Sequence, residues 1–417
     1  MKRNYTIVVL ILVTFFVISF LTNILGALNP NVSAGYTLSE TMAGILPFAF
    51  FIPYGLLSIP SGILMEKLGG KKMMMISFAL AAVATLIFVL YPTFTVFVIS
   101  LFTIGAGMTM LQVVINPLLR VAGGEEHYAF NAVLAQLMFG IASFLSPQMF
   151  TYLVTNISQG NVDKPLIGLM SRLVENSFPW VSVYWVFVVI NVAMIAVIAV
   201  VKFPVVELKE DEKTGSKESF KELFANKYVI LYFLGIFAYV GTEQGISYWM
   251  SKFLEKYHHF DPSTAGADSV SYFWGLMTVG GVLGLILLKL IDSKVVLKWF
   301  TVLAIISVAL GLFAGPQVSF WSFSMSGFFL SVMFPVIISL GLNSVEKHHG
   351  SFAGIMLTGI AGGAIVQLLI GGLSDLTSLR TGMMFLFITL GYILSISFWA
   401  KPIITNKVVN IKEIFKK

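Results

Sequence analysis

Cysteine is absent from the 417 residues, which removes disulfide frameworks, thiolate metal sites and cysteine nucleophiles. Charge is scarce too. Asp, Glu, Lys and Arg make up 11% of the chain, against roughly 25% in an ordinary soluble domain. No HExxH, GxSxG or Walker loop occurs, so zinc hydrolysis, serine acyl transfer and ATP-driven work have no motif to rest on. Neither an enzyme nor a bound cofactor is expected. What fills the chain instead is apolar: 57% hydrophobic residues, with 37 Phe, 14 Tyr and 7 Trp. A disordered chain needs the opposite balance. The formal charge of +6 does not imply nucleic acid, because the basic residues sit between apolar blocks rather than on one soluble face. The partner implied by composition is a lipid bilayer.

A spanning helix needs about 20 mostly apolar residues. Twelve such runs fall near 5–28, 41–65, 73–91, 94–120, 128–155, 180–202, 228–253, 266–290, 295–314, 318–343, 350–373 and 381–400. The first follows Lys2 and Arg3 but is too long for a signal h-region, so it reads as a retained helix. Long unbroken runs such as 73–91 lack the alternation of a membrane strand, which makes the chain all-α. Segment 203–227 is the one long polar connector, and it splits the helices six and six. The expected organisation is a six-helix bundle over 1–202, a cytoplasmic linker over 203–227 and a second bundle over 228–417 with a short tail. A second polar stretch near 156–179 fits an extracytoplasmic loop. Placing the N-terminus in the cytoplasm puts 21 of the 26 Lys and Arg residues on that side. Only Lys164, Arg172, Lys252, Lys256 and Arg380 fall on the other, so both termini are expected inside.

The two halves show a modest echo of each other. Pro117 precedes Gly123-Gly124-Glu125-Glu126-His127, and Pro335 precedes Glu346-Lys347-His348-His349-Gly350. Glycine pairs such as Gly105/Gly107 and Gly362/Gly363 permit close helix packing. The paired histidines sit in loops and suggest no metal site. Between the second and third runs, Gly62, Glu66, Lys67, Gly69, Gly70, Lys71 and Lys72 resemble the major facilitator signature. The acid and bases could form a charge-linked latch on the cytoplasmic rim or simply anchor topology.

Of the 20 acids, only Glu243 lies well inside an apolar span. A carboxylate there costs about 2.5–3.5 kcal/mol on insertion scales and usually marks a cavity or an ion path. Glu40, Asp268 and Asp375 lie near helix ends, where interfacial solvation accounts for them. Tyr239, Glu243 and Ser247 share one helical face, with Gln244 on the flank. Three roles are open to Glu243: holding substrate hydroxyls, binding a coupling H⁺ or Na⁺, or packing between helices. Gln112 and Asn116 lie one turn apart before Pro117. Asn23, Gln136, Asn343 and Gln367 complete the amides, which can donate and accept and so suit a polyhydroxy ligand. Trp249 could wall such a site.

Taken together, Phe51-Ile52-Pro53-Tyr54-Gly55, Gly105-Ala106-Gly107 with Gln112 and Asn116-Pro117, Leu134-Ala135-Gln136, Tyr239-Val240-Gly241-Thr242-Glu243 and Met333-Phe334-Pro335 are specific. They resemble the fucose–galactose–glucose:proton symporter family of the major facilitator superfamily. The resemblance implies a major facilitator fold, alternating access and cation-coupled sugar import across a bacterial inner membrane; a monomer is expected. It also exposes departures. The helix-1 aspartate and helix-4 glutamate that titrate in fucose members fall at Gly26 and Gln112 here, and neither can titrate. Glu243 is left as the coupling candidate, with Asn23, Gln112, Asn116, Gln136, Tyr239, Gln244, Trp249 and Gln367 as its companions. A facilitator without coupling, or a multidrug exporter on the same scaffold, are the alternatives.

Overall fold

The computed structural model describes residues 4–124, 127–175, 177–203, 217–345 and 347–403. Glu125, Glu126 and Glu346 of the helix-end echo, linker residues 204–216 and the tail from 404 lie outside the described residues.

Twelve helices long and apolar enough to cross a bilayer are present. They are α1 (Tyr5–Gly35), α2 (Glu40–Leu68), α3 (Gly70–Leu90), α4 (Phe94–Gly123), α5 (Phe130–Ser158), α6 (Pro179–Val200), α7 (Lys227–His258), α8 (Pro262–Leu290), α9 (Ser293–Phe313), α10 (Pro316–Leu342), α11 (Ser351–Leu376) and α12 (Leu379–Trp399). Their ends follow local chemistry. Ser39 and Thr93 accept backbone N–H groups at the starts of α2 and α4, satisfying donors with no helical partner. Gly69 takes φ 77, which lets α3 begin directly after α2. Two details differ from the sequence pattern. Helix α1 runs on to Gly35 but is interrupted at Asn23 (φ −88, ψ 9). The loop near 156–179 holds a nine-residue helix, Pro165–Leu173, which buries Ile167 and Met170.

Packing within the first six helices is repeated in the last six. Helix pairs α2–α4, α3–α4, α1–α5 and α3–α6 correspond to α8–α10, α9–α10, α7–α11 and α9–α12. Two bundles related by a pseudo-two-fold are the expected result of such repeats. The correspondence reaches single side chains. The Lys71 ammonium, at the start of α3, donates to Ala199 O in the last turn of α6 and to Val201 O just beyond it, both at 2.8 Å. Lys294, at the start of α9, donates to Ala400 O beyond α12 at 2.8 Å. In each case a cation satisfies carbonyls that the helix end leaves open.

The halves meet along α1–α7, α2–α11 and α5–α8, the last two being equivalent under the pseudo-two-fold. Call the end of the molecule that carries Asn4 the near end. Cross-half contacts crowd toward the opposite, far end: Gly371 faces Glu40, Gln148 bonds Asp268, and Tyr248 reaches Ala43. Toward the near end, among the described residues, α4 and α10 share no such seam. The bundles are tied closely at the far end; toward the near end α4 and α10 part, while α2 and α11 stay in contact where Gly55 meets Ala361.

Helix association in lipid gains little from hydrophobicity and relies on close packing. Gly105 of α4 illustrates this, since a Cβ there would fall on the carbonyl of Phe50 in α2. Gly105→Val should therefore destabilise the first bundle by about 1–3 kcal/mol or more. Gly281→Ala, in open space, should leave it unchanged. Thermal unfolding of detergent-purified protein distinguishes the two.

Candidate functional site

In α4, Gln112 is half-buried and Asn116 exposed, and the helix continues unbroken through Pro117. Gln136 of α5 is also exposed. Among the described residues none of these three amides hydrogen-bonds to protein. Amides in that condition within membrane-spanning helices must face water or a ligand. One turn further, Arg120 continues the stripe begun by Gln112 and Asn116. Sequence reasoning passed over it because it sits at a helix end, although its i+4 spacing from Asn116 was readable.

Glu243 lies midway along α7 and is partly exposed. Tyr239 donates its hydroxyl to Glu243 Oε1 at 3.2 Å, and the tyrosine ring rests on Phe334 of α10 with centroids 5.6 Å apart. Tyr239 is itself buried, so it positions the carboxylate rather than lining open space. No ion pair to Glu243 exists among the described residues. The carboxylate is held by a phenol on its own helix, and the residue remains partly exposed. Gln244, behind it, is buried and packs against Gly363 of α11.

Three amide or aromatic candidates have other work. The Trp249 indole donates to Gln367 Oε1 at 3.0 Å, and Gln367 Nε2 donates to Gly241 O at 3.3 Å. Both side chains are 0% exposed, so they tie α7 to α11 and do not meet a ligand in this state. Asn23 donates to Ser143 of α5 at 2.8 Å and to Ser19 at 3.2 Å, fixing the break in α1. Asn343 lies in a separate near-end cleft between α9, α10 and α12. Lys71 binds α6 of its own half, and Lys67 and Lys72 are exposed, so the described contacts of these lysines do not link the halves.

The acids assigned to solvation at helix ends are instead the far-end closure. Glu40 of α2 receives Lys252 at 2.6 Å and Lys256 at 3.1 Å, both from α7. Lys252 is only 12% exposed at its side chain and also donates to Ser33 Oγ. Asp375 of α11 accepts the Glu40 and Thr41 backbone N–H groups, each at 2.8 Å, and so caps α2 from the other half. Gln148 of α5 donates to Asp268 of α8 at 2.7 Å. Beneath these polar ties, α1 and α7 touch at Gly26, where a Cβ would fall on the Ser247 carbonyl. Any side chain there, an aspartate included, would prevent this closure.

Residues 10–366 match the Major Facilitator Superfamily model. The chain belongs to that superfamily. It is therefore a membrane transport protein rather than an enzyme. Its relatives include a glucose/galactose transporter of Brucella abortus, 28% identical over 91% of this chain and 90% of the relative. The L-fucose-proton symporter of Escherichia coli is 28% identical over 90% and 88% of the two chains. A crystal structure of that fucose:proton symporter aligns with 94% of this chain and 98% of its own, at 24% identity and a TM-score of 0.67. An inward-facing bacterial homologue of the lysosomal transporter Spinster aligns with 95% and 98%, at 12% identity and a TM-score of 0.77. These likenesses agree with the motifs in helices 2, 4, 5 and 7.

The Trp249–Gln367 pairing has a direct consequence. Trp249→Phe removes one buried donor and should lower stability by about 1 kcal/mol. The half-saturation constant for transport should not change. Melting curves and uptake kinetics on one preparation check both parts.

Proposed function

We propose that this chain imports a neutral sugar, a hexose or close relative, by alternating access, coupled to H⁺ or Na⁺. The observation that carries the reading is Glu243: a partly exposed carboxylate at mid-span, oriented by Tyr239, with no cation beside it among the described residues. A carboxylate so placed is costly in its charged form unless water, a ligand or a counter-ion meets it. In the other half, Gln112, Asn116 and Gln136 keep donors and acceptors unspent among the described residues. A polyhydroxy ligand can bridge such a pair of surfaces: the carboxylate accepts its hydroxyls in charge-assisted bonds, and the amides bind in both directions. The names of the sugar-transporting relatives support the same substrate class.

In this reading both termini are cytoplasmic, in a bacterial inner membrane, and the near end faces the cytoplasm. The state described is then open inward. Entry of sugar from outside requires the Glu40–Lys252–Lys256 cluster and the Asp375 cap to separate while the near ends approach. A coupling cation on Glu243 would neutralise the carboxylate and so lower the cost of enclosing it as the halves close. A facilitator without coupling is the second reading, favoured by Gly26 and Gln112 standing where fucose members carry acids.

Uptake of a sugar panel into proteoliposomes, with pH and sodium gradients imposed separately, tests the proposal. One gradient should drive accumulation of a hexose-class sugar. Glu243→Gln should abolish accumulation while leaving equilibrium exchange measurable. Accumulation by this variant equal to wild type would refute the coupling role.

The far-end closure makes a second prediction. Glu40→Gln leaves Lys252 without its anion and should favour the outward-open state by about 1–3 kcal/mol. A cysteine at Ala27, which is 0% exposed beneath the closure, should then react faster with an impermeant thiol reagent added outside.

A further inference from the structure

At the near end, α9, α10 and α12 line an open cleft of about 560 Å³ that does not include Glu243. Lys294, Lys298 and Lys401 line it together with a single acid, Asp292. Two of these charges are already committed. Asp292 Oδ1 accepts the Lys294 backbone N–H at 2.8 Å and caps α9, and the Lys294 ammonium holds Ala400 O. Lys298 and Lys401 are not committed. Among the described residues neither ammonium makes a hydrogen bond or ion pair, and Lys298 lies 5.2 Å from the centroid of the Phe398 ring. Ser339 and Asn343 also line the cleft, and their side chains make no hydrogen bond to described residues.

The pseudo-symmetry shows that this charge exceeds what the fold needs. Lys71 performs the helix-end tie in the first half as Lys294 does in the second, but four residues on the first half has Met75 where the second has Lys298. Lys401, one residue past Ala400, has its counterpart in Lys202, one residue past Val201, so Lys298 is the lysine of this cleft that the first half does without. The start of α9 adds the positive end of a helix dipole. Around the cleft, Phe398 is 63% exposed and Val295 44% exposed. Both are side chains that lipid would cover.

We propose that this cleft binds the phosphodiester headgroup of an anionic phospholipid, with Lys298 and Lys401 on the phosphate oxygens and Ser339 and Asn343 as neutral donors. Basic pockets between membrane helices are suited to such headgroups. The exposed apolar flank gives the acyl chains a path, which a free phosphate would not need.

The test uses full-length protein in phosphatidylcholine nanodiscs with and without phosphatidylglycerol, read by native mass spectrometry of retained lipid and by melting temperature. Wild type should retain phosphatidylglycerol and melt higher in its presence. Lys298→Gln and Lys401→Gln, both at side chains with no hydrogen-bonding role in the fold, should each weaken retention by about five-fold. Lys67→Gln, in the exposed basic loop of the other half, should not. Equal loss in all three variants would show general surface attraction and overturn the site. Full displacement by inorganic phosphate at equal concentration would overturn the lipid assignment. Retention unaffected by any variant would overturn both.

Discussion

The structure depends on how two bundles with almost no charge are held together at one end. In lipid the bundles gain little from hydrophobicity, so the contact must come from backbone approach and polar ties. Gly26 supplies the first, because only hydrogen can occupy that position against the Ser247 carbonyl. Glu40 supplies the second, between Lys252 and Lys256, and Asp375 completes it by capping α2 from the opposite half. Each component is a group that would be expensive to desolvate unpaired. Separation of the halves would hand these groups back to water, so such a closure can be firm without being irreversible.

The same scarcity of charge gives Glu243 its standing. Where other acids, at helix ends, found cations or amides across the halves, Glu243 meets the Tyr239 hydroxyl on its own helix and, among the described residues, no cation. The phenol fixes one oxygen and leaves the carboxylate partly exposed, while the buried Trp249–Gln367 pair stiffens the neighbouring α7–α11 contact. Orientation and exposure are thus divided among different residues of one helix, as a site that must bind and release would require.

Much of this was legible in the sequence, and the limits have physical causes. All twelve spans were readable because the bilayer demands long apolar runs whatever their neighbours. Glu243 stood out for the same reason. The far-end closure did not: Glu40, Asp268 and Asp375 look like solvated ends along the chain, and only tertiary folding brings Asp375 to the start of α2. The amides divided similarly. Gln112, Asn116 and Gln136 make no hydrogen bond to the described protein, but Asn23 and Gln367 are spent on interhelical bonds, and one-dimensional spacing cannot say which amide meets protein and which does not. Gly26 carried the reverse lesson, since a residue noted for lacking a carboxylate proves necessary for what it allows.

The absence of cysteine makes the central claim, that closure at one end is exchanged for opening at the other, directly measurable. Spin labels on Leu166→Cys and Val318→Cys report the far end, and labels on Lys67→Cys and Lys289→Cys report the near end; all four positions are exposed. Without sugar, the far-end pair should give a short, narrow distance distribution and the near-end pair a long one. Transported sugar with the driving gradient should lengthen the first and shorten the second in the same molecules. Distances that change together in the same sense, or a far-end pair that never lengthens, would contradict the account.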